Sequence, residues 1–225
     1  MNIPLLIFSL SSGVFFFLLF LLFGRLSYGN NERRYDILTD FPYEQYTKKN
    51  VFSYLSLGSF CAFELAFILI PIAFFNVSSL KYMVSMFSFL LGACAVKVLL
   101  YNSLLLVSPS KEKPHFLLAL SSFLTSSLVA FFGGLLFFQL RVDYPVLSYV
   151  VCIFLWVMTL GFVLLAINPK LMNWAKLKVV EEEAGAHLEK PRPFVLAFSE
   201  WSAILLEVIL FLTLCIAFLV LCLVL

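Results

Sequence analysis

Charged residues are scarce in this sequence, because Asp, Glu, Lys and Arg make up 12% of its 225 residues while 63% are hydrophobic. Soluble domains contain about a quarter charged and about half apolar residues, so this composition excludes an ordinary soluble domain. The formal net charge of +2 is too small to indicate nucleic-acid binding. We therefore expect an integral membrane protein whose first partner is the lipid bilayer.

Motifs that mark catalytic sites are also missing. The chain contains no H-E-x-x-H zinc motif, no G-x-S-x-G nucleophile turn and no G-x-x-x-x-G-K-[ST] nucleotide loop. Its two histidines, His115 and His187, lie in different segments. The five cysteines lie within apolar runs without a C-x-x-C pair, which is typical of small packing residues rather than metal ligands. The sequence thus predicts no cofactor, no metal site and no enzyme activity.

Six apolar stretches are each long enough to cross a bilayer as a helix, which takes about 20 residues. They predict an all-α, single-domain bundle of six transmembrane helices over residues 1–225. We expect the first stretch to be retained rather than cleaved as a signal peptide, because no Lys or Arg precedes it and its apolar run is longer than that of a signal. The predicted spans are residues 3–23, 51–75, 82–107, 116–140, 146–167 and 202–225.

Lys and Arg are concentrated in alternate loops. Twelve of the fifteen lie in residues 24–50, 108–115 and 168–201, whereas only Lys81 and Arg141 lie in the other two loops. The positive-inside rule predicts that the basic loops are cytoplasmic and that both termini are non-cytoplasmic. Anionic lipid headgroups are the expected partners of the basic loops, and we expect the protein in the plasma membrane.

The connector over residues 168–193 has two halves of different character. The first half mixes lysines with Leu171, Trp174 and Leu177, which suits a short helix on the headgroup surface. The second half begins with the acidic run Glu181 to Glu183, which favours water.

The fourth span carries a stripe of small residues that recur every four positions and so share one helix face. Transmembrane helices associate through small residues, because these allow close backbone approach. We expect another helix to pack there, within the monomer or in a homo-oligomer, with a groove lining a permeation path as the alternative. The stripe consists of Ser122, Ser126, Ala130 and Gly134.

Three ionisable residues lie within the spans, namely Glu64, Lys97 and Glu207. A charge in the hydrocarbon core costs about 2.5 kcal/mol or more, so each should face the protein interior and have a partner. Glu64 and Lys97 fall at similar depths in a predicted hairpin, roughly 20 and 15 Å from its cytoplasmic side. They are the candidate ion pair, and Glu207 is either a third member or a side chain that reaches the cytoplasmic surface, as Glu200 is expected to do.

An intramembrane enzyme is the least favoured function for this chain. Two other functions fit the sequence better. A transporter of a small solute or ion would use Glu64 and Lys97 as a relay in a wet cavity. A non-catalytic accessory, assembly or scaffold subunit would instead keep the pair dry and act through contacts with other membrane subunits. The sequence favours the accessory role, because the first three and last three spans show no convincing repeat of the kind that transporters contain.

Overall fold

The computed structural model describes residues 2–28, 36, 38, 40, 42, 50–74, 83–107, 112–168, 178–182, 185–189 and 195–224. Within these residues, six helices are long and apolar enough to cross a membrane, which confirms the predicted multi-pass all-α bundle. The helices are α1 (Ile3–Tyr28), α2 (Val51–Ile72), α3 (Val84–Leu106), α4 (Glu112–Gln139), α5 (Pro145–Ala166) and α6 (Val195–Val224).

The helices are not limited to the apolar stretches of the sequence. The last helix, α6, begins at Val195, seven residues before the first residue of the predicted span. Backbone hydrogen bonds continue a helix through polar residues once an apolar segment has fixed it. Positions near the predicted start of this span, including Glu200 and Glu207, therefore lie deeper in the bundle than the hydropathy pattern indicates.

A short β-hairpin lies in the connector between α5 and α6, where no strand was predicted. Strands β1 (Lys178–Glu182) and β2 (Gly185–Glu189) pair antiparallel, with Val180 opposite His187. The two-residue connection between the strands is the usual length for a hairpin. The proposed surface helix in residues 169–177 lies outside the described residues.

Helices α1 and α2 form a hairpin held by hydrogen bonds as well as by apolar contact. The Ser9 hydroxyl donates to the Ala66 carbonyl at 2.8 Å, and the Ser56 hydroxyl donates to the Phe20 carbonyl at 2.9 Å. Asn50 caps α2, because its side chain accepts from the backbone N–H of Ser53. These bonds fix both ends of the α1–α2 pair without any ionised group.

The small-residue stripe of α4 packs inside the monomer. Ser122, Ser126 and Ala130 have no exposed surface, and a Cβ placed on Gly134 would lie 2.5 Å from the Trp156 side chain of α5. Close approach of α5 thus depends on the missing side chain of Gly134.

We call the end of the bundle at which α1 ends and α2 begins the loop end. The opposite end, at which α2 ends and α3 begins, is called the hairpin end. At the loop end the Asn50 amide donates to the Ser27 carbonyl at 3.3 Å, and the Trp201 indole donates to the Asp40 carbonyl at 3.0 Å. At the hairpin end the Asn2 amide donates to the Ala73 carbonyl at 3.4 Å. The loop end is the side that the basic loops predict to be cytoplasmic.

Candidate functional site

The ammonium group of Lys97 joins three helices in the middle of the bundle. Its Nζ donates a hydrogen bond to Glu64 of α2, and it lies 2.8 Å from Oε2 of Glu207 of α6. The same nitrogen lies 3.6 Å from the centroid of the Phe67 ring, a cation–π geometry that favours a charged ammonium. We call Glu64, Lys97 and Glu207 the clasp.

The clasp lies deep in the bundle and away from its surface. All three side chains have 0% exposed area. Counted along their helices from the loop end, Glu64, Lys97 and Glu207 lie about 20, 14 and 18 Å in, at 1.5 Å of rise per residue. Each is therefore near the middle of its helix, where the bilayer offers no water to solvate a charge.

The hydrogen-bonding capacity of the clasp is only partly used. Among the described atoms, Oε1 of Glu64 and both carboxyl oxygens of Glu207 are buried without a well-oriented hydrogen bond, although Oε2 of Glu207 lies within ion-pair distance of Lys97. Two carboxylates and one ammonium also carry a net charge of −1 when all are ionised. When all three groups are ionised, the clasp therefore has one negative charge that Lys97 does not neutralise. It also has carboxyl oxygens that lack a hydrogen-bond donor.

On the hairpin side of the clasp, aromatic rings fill the bundle. Phe67 lies one turn from Glu64, and its ring centroid is 5.0 Å from that of Phe211, which lies one turn from Glu207. Further towards the hairpin end, the Phe74 and Phe218 rings are 4.5 Å apart. All four side chains are at most 1% exposed, so they form an apolar plug between the clasp and the hairpin end.

On the loop side of the clasp, a small cavity lies beside Tyr101. Tyr101 lies one turn from Lys97 on α3, and its buried hydroxyl is left without a well-oriented hydrogen-bond partner. The cavity is bounded by Tyr101 on one side and by Glu200, Pro42 and Phe60 on others, and it has room for about one water molecule. Tyr101 and Glu200 thus provide the polar side chains of an otherwise apolar cavity that lies between the level of the clasp and the loop end.

A second buried polar cluster closes the loop end, and the sequence analysis missed it. His115 of α4 has Nε2 at 2.9 Å from Oε1 of Glu200 and Nδ1 at 3.3 Å from the Val107 carbonyl. His115 is 1% and Glu200 3% exposed. The sequence does place His115 just before the fourth span and Glu200 just before the sixth. Because the two residues are 85 positions apart along the chain, their spacing does not indicate that they pair.

The structure brings together all three intramembrane charges that the sequence singled out. The alternative in which Glu207 and Glu200 reach the surface is wrong, because both are buried and each faces a cationic or imidazole partner. The helix α6 begins at Val195, before the predicted span. Glu200 and Glu207 are therefore part of a helix that packs within the bundle. Within the small-residue stripe, Gly134 packs α4 against Trp156 of α5, whereas Ser126 lies near Tyr101 of α3, one turn from Lys97.

The described residues offer no group of three or more His, Cys, Asp and Glu side chains placed to hold a metal ion. Comparison of the chain with protein-family models, with curated proteins and with solved structures finds no match. The function must therefore be argued from the chemistry of the clasp and its surroundings.

Proposed function

We propose that this chain is a non-catalytic accessory or assembly subunit of the membrane, which acts through contacts, and that the clasp is a structural element of its bundle. The observation that carries the proposal is the complete burial of Lys97 between two carboxyl groups on different helices. A buried ion pair favours one arrangement of helices over others, because every other arrangement leaves a charge unpaired in the bilayer.

The clasp is most needed at the contact between α3 and α6. Among the described residues, α3 and α6 have fewer close backbone contacts than α2 and α3 or α5 and α6. The long side chain of Lys97 and the contact of the Phe87 and Phe218 rings, 6.2 Å apart, therefore connect them. Glu64 joins the same ammonium from α2. The clasp therefore sets the relative positions of α2, α3 and α6, and through them the outer surface on which a partner subunit would dock.

Burial also speaks against the transport alternative. A relay for a solute or ion needs its charged groups to line a wet cavity that reaches both sides in turn. The plug between the clasp and the hairpin end leaves no exposed surface on Phe67, Phe211 or Phe218, and the described cavity near Tyr101 holds about one water molecule.

The proposal can be tested with the purified chain in liposomes. We expect fluxes of protons and alkali cations equal to those of empty liposomes, and we expect the native protein, extracted from its own membrane in mild detergent, to migrate as part of a larger assembly. The matched variants are Lys97→Met, which breaks the clasp, and Leu99→Met, two residues away on a 68% exposed position.

The accessory proposal predicts that Lys97→Met loses the larger assembly and that Leu99→Met keeps it. A specific flux in wild-type liposomes that disappears in Lys97→Met, with folding intact, would overturn the proposal in favour of transport. Migration of the native chain as an isolated monomer would also overturn it.

A further inference from the structure

The charge of the clasp leads to a site that its structural role does not require. Lys97, Glu64 and Glu207 together carry −1 when all three are ionised, and all have 0% exposed area. A net charge in the hydrocarbon core is costly, because lipid tails cannot solvate it. The clasp therefore needs one additional positive charge to be neutral.

A proton fits this need better than a metal ion does. Sodium and other hard cations take several oxygen ligands, whereas the clasp offers two carboxyl groups that Lys97 already shares, and no metal-holding group is found among the described residues. A proton needs one oxygen atom, and Oε1 of Glu64 and Oε1 of Glu207 are both buried and unpartnered.

We propose that the clasp is a proton-binding site: one of its two carboxyl groups is protonated at neutral pH, and this proton exchanges with water at the loop end only. In this state Lys97 is an ammonium, as its position 3.6 Å from the centroid of the Phe67 ring favours, and it balances the carboxyl group that stays ionised.

The path for the proton runs along α3 and α6. Glu200 and Glu207 lie seven residues apart on α6, hence on one face and about 10 Å apart along the axis. Tyr101 and Glu200 both line the small cavity at this level, and the Tyr101 hydroxyl, which lies close to Glu207, can accept one proton and donate another. A proton from water at the loop end reaches a clasp carboxylate by this route, and the water is left as hydroxide or is re-protonated from bulk.

The opposite route is closed by the apolar plug. Phe67, Phe74, Phe211 and Phe218 carry no group that can pass a proton, and each is at most 1% exposed. One-sided access lets the clasp exchange a proton with the side predicted to be cytoplasmic, without conducting protons across the membrane. The inference rests on the clasp as proposed above, but not on the accessory role of the chain.

The test is infrared spectroscopy of the full-length protein in lipid vesicles at neutral pH, because the carbonyl stretch of a protonated carboxyl group is separate from the bands of carboxylates. The wild type should show this band, and its shift in D₂O should identify an exchangeable proton. Glu64→Gln and Glu207→Gln should each lose the band, since Lys97 and one remaining carboxylate are already neutral. Lys97→Met should raise its intensity about twofold, because an unpaired buried carboxyl group takes up a proton.

Two control variants separate the clasp from the rest of the chain. Asp143→Asn changes an exposed carboxylate near the hairpin end and should leave the band unchanged. Tyr101→Phe should keep the band and slow its shift in D₂O, whereas Tyr149→Phe, on a 49% exposed position of α5, should change neither.

Absence of the band in the wild type would overturn the proposal, and so would its persistence in both Glu→Gln variants. If one of these variants does not fold, the other decides the matter alone, and the wild-type and Lys97→Met spectra decide it if neither folds. Proton flux across wild-type liposomes together with an intact band would refute the accessory role while leaving the proton site in place.

Discussion

The seam between α4 and α5 and the junction of α2, α3 and α6 both join helices inside the bilayer, but with different chemistry. At the seam, Gly134 allows Trp156 to approach the backbone of α4, and van der Waals packing stabilises the contact between the helices. At the junction, α3 and α6 have few close backbone contacts among the described residues, and Lys97 reaches across to Glu207. The seam depends on the absence of atoms and the junction on charge, so different substitutions should break them.

The largest effect should follow the removal of the ammonium group. Lys97→Met leaves two buried carboxyl groups without a cationic partner, and breaking a buried pair from one side costs about 3–5 kcal/mol. The free energy of unfolding, measured in detergent micelles with a denaturing detergent, should fall by that amount. Leu99→Met on the same helix should leave it unchanged, and equal losses for both would refute the structural role of the clasp.

The seam should respond to a single methyl group. Gly134→Ala places a Cβ 2.5 Å from Nε1 of Trp156, so the helices must separate or the indole must move, at a cost of about 1–3 kcal/mol. The matched control is Gly92→Ala, whose Cβ meets no atom within 4 Å, and which should keep or slightly raise the free energy of unfolding. A neutral Gly134→Ala would mean that α4 and α5 do not pack as described.

The loop-end cluster should have an intermediate contribution. Glu200→Ala removes the carboxylate that lies 2.9 Å from the His115 ring, and a hydrogen bond to a charged group contributes about 1.5 kcal/mol. The control Asp143→Ala removes an exposed carboxylate and should have no effect. The same unfolding measurement separates the two, and identical curves would show that the His115 contact contributes nothing.

The smallest effect should come from removing one of the two clasp carboxylates. Glu207→Gln leaves Lys97 paired with Glu64 and keeps the clasp neutral, so we expect a loss of about 1 kcal/mol. The double variant Glu64→Gln, Glu207→Gln removes both partners and should approach the loss seen for Lys97→Met. A single variant as harmful as the double would show that Lys97 depends on one carboxylate alone.

The comparison also separates what sequence can predict from what it cannot. Span count follows from hydropathy, and the stripe at Ser122 to Gly134 follows from spacing, because both are local properties of one helix. The pairing of Lys97 with Glu207 and of His115 with Glu200 depends on how distant helices assemble, which no local pattern encodes. The depth of Glu207 was misjudged for a further reason: hydropathy locates the apolar part of a helix, whereas its hydrogen bonds extend to Val195.

The hairpin of β1 and β2 is a second feature that the local sequence pattern does not predict. Its strands contain Val179, Val180 and Leu188 among charged residues, whereas the acidic run Glu181 to Glu183 predicts only a segment that favours water. A five-residue strand gives too weak a periodic signal to distinguish it from a loop. Only the register of β1 against β2 makes the pairing evident.

The order of the clasp residues along the chain has a consequence for biosynthesis. Glu64 and Lys97 belong to consecutive helices that leave the ribosome early, whereas Glu207 belongs to the last one. The first two can enter the bilayer as a neutral hairpin before α6 exists. The final helix then delivers a carboxyl group that can cross into the hydrocarbon in its uncharged form, so each stage of insertion proceeds without moving a net charge into lipid.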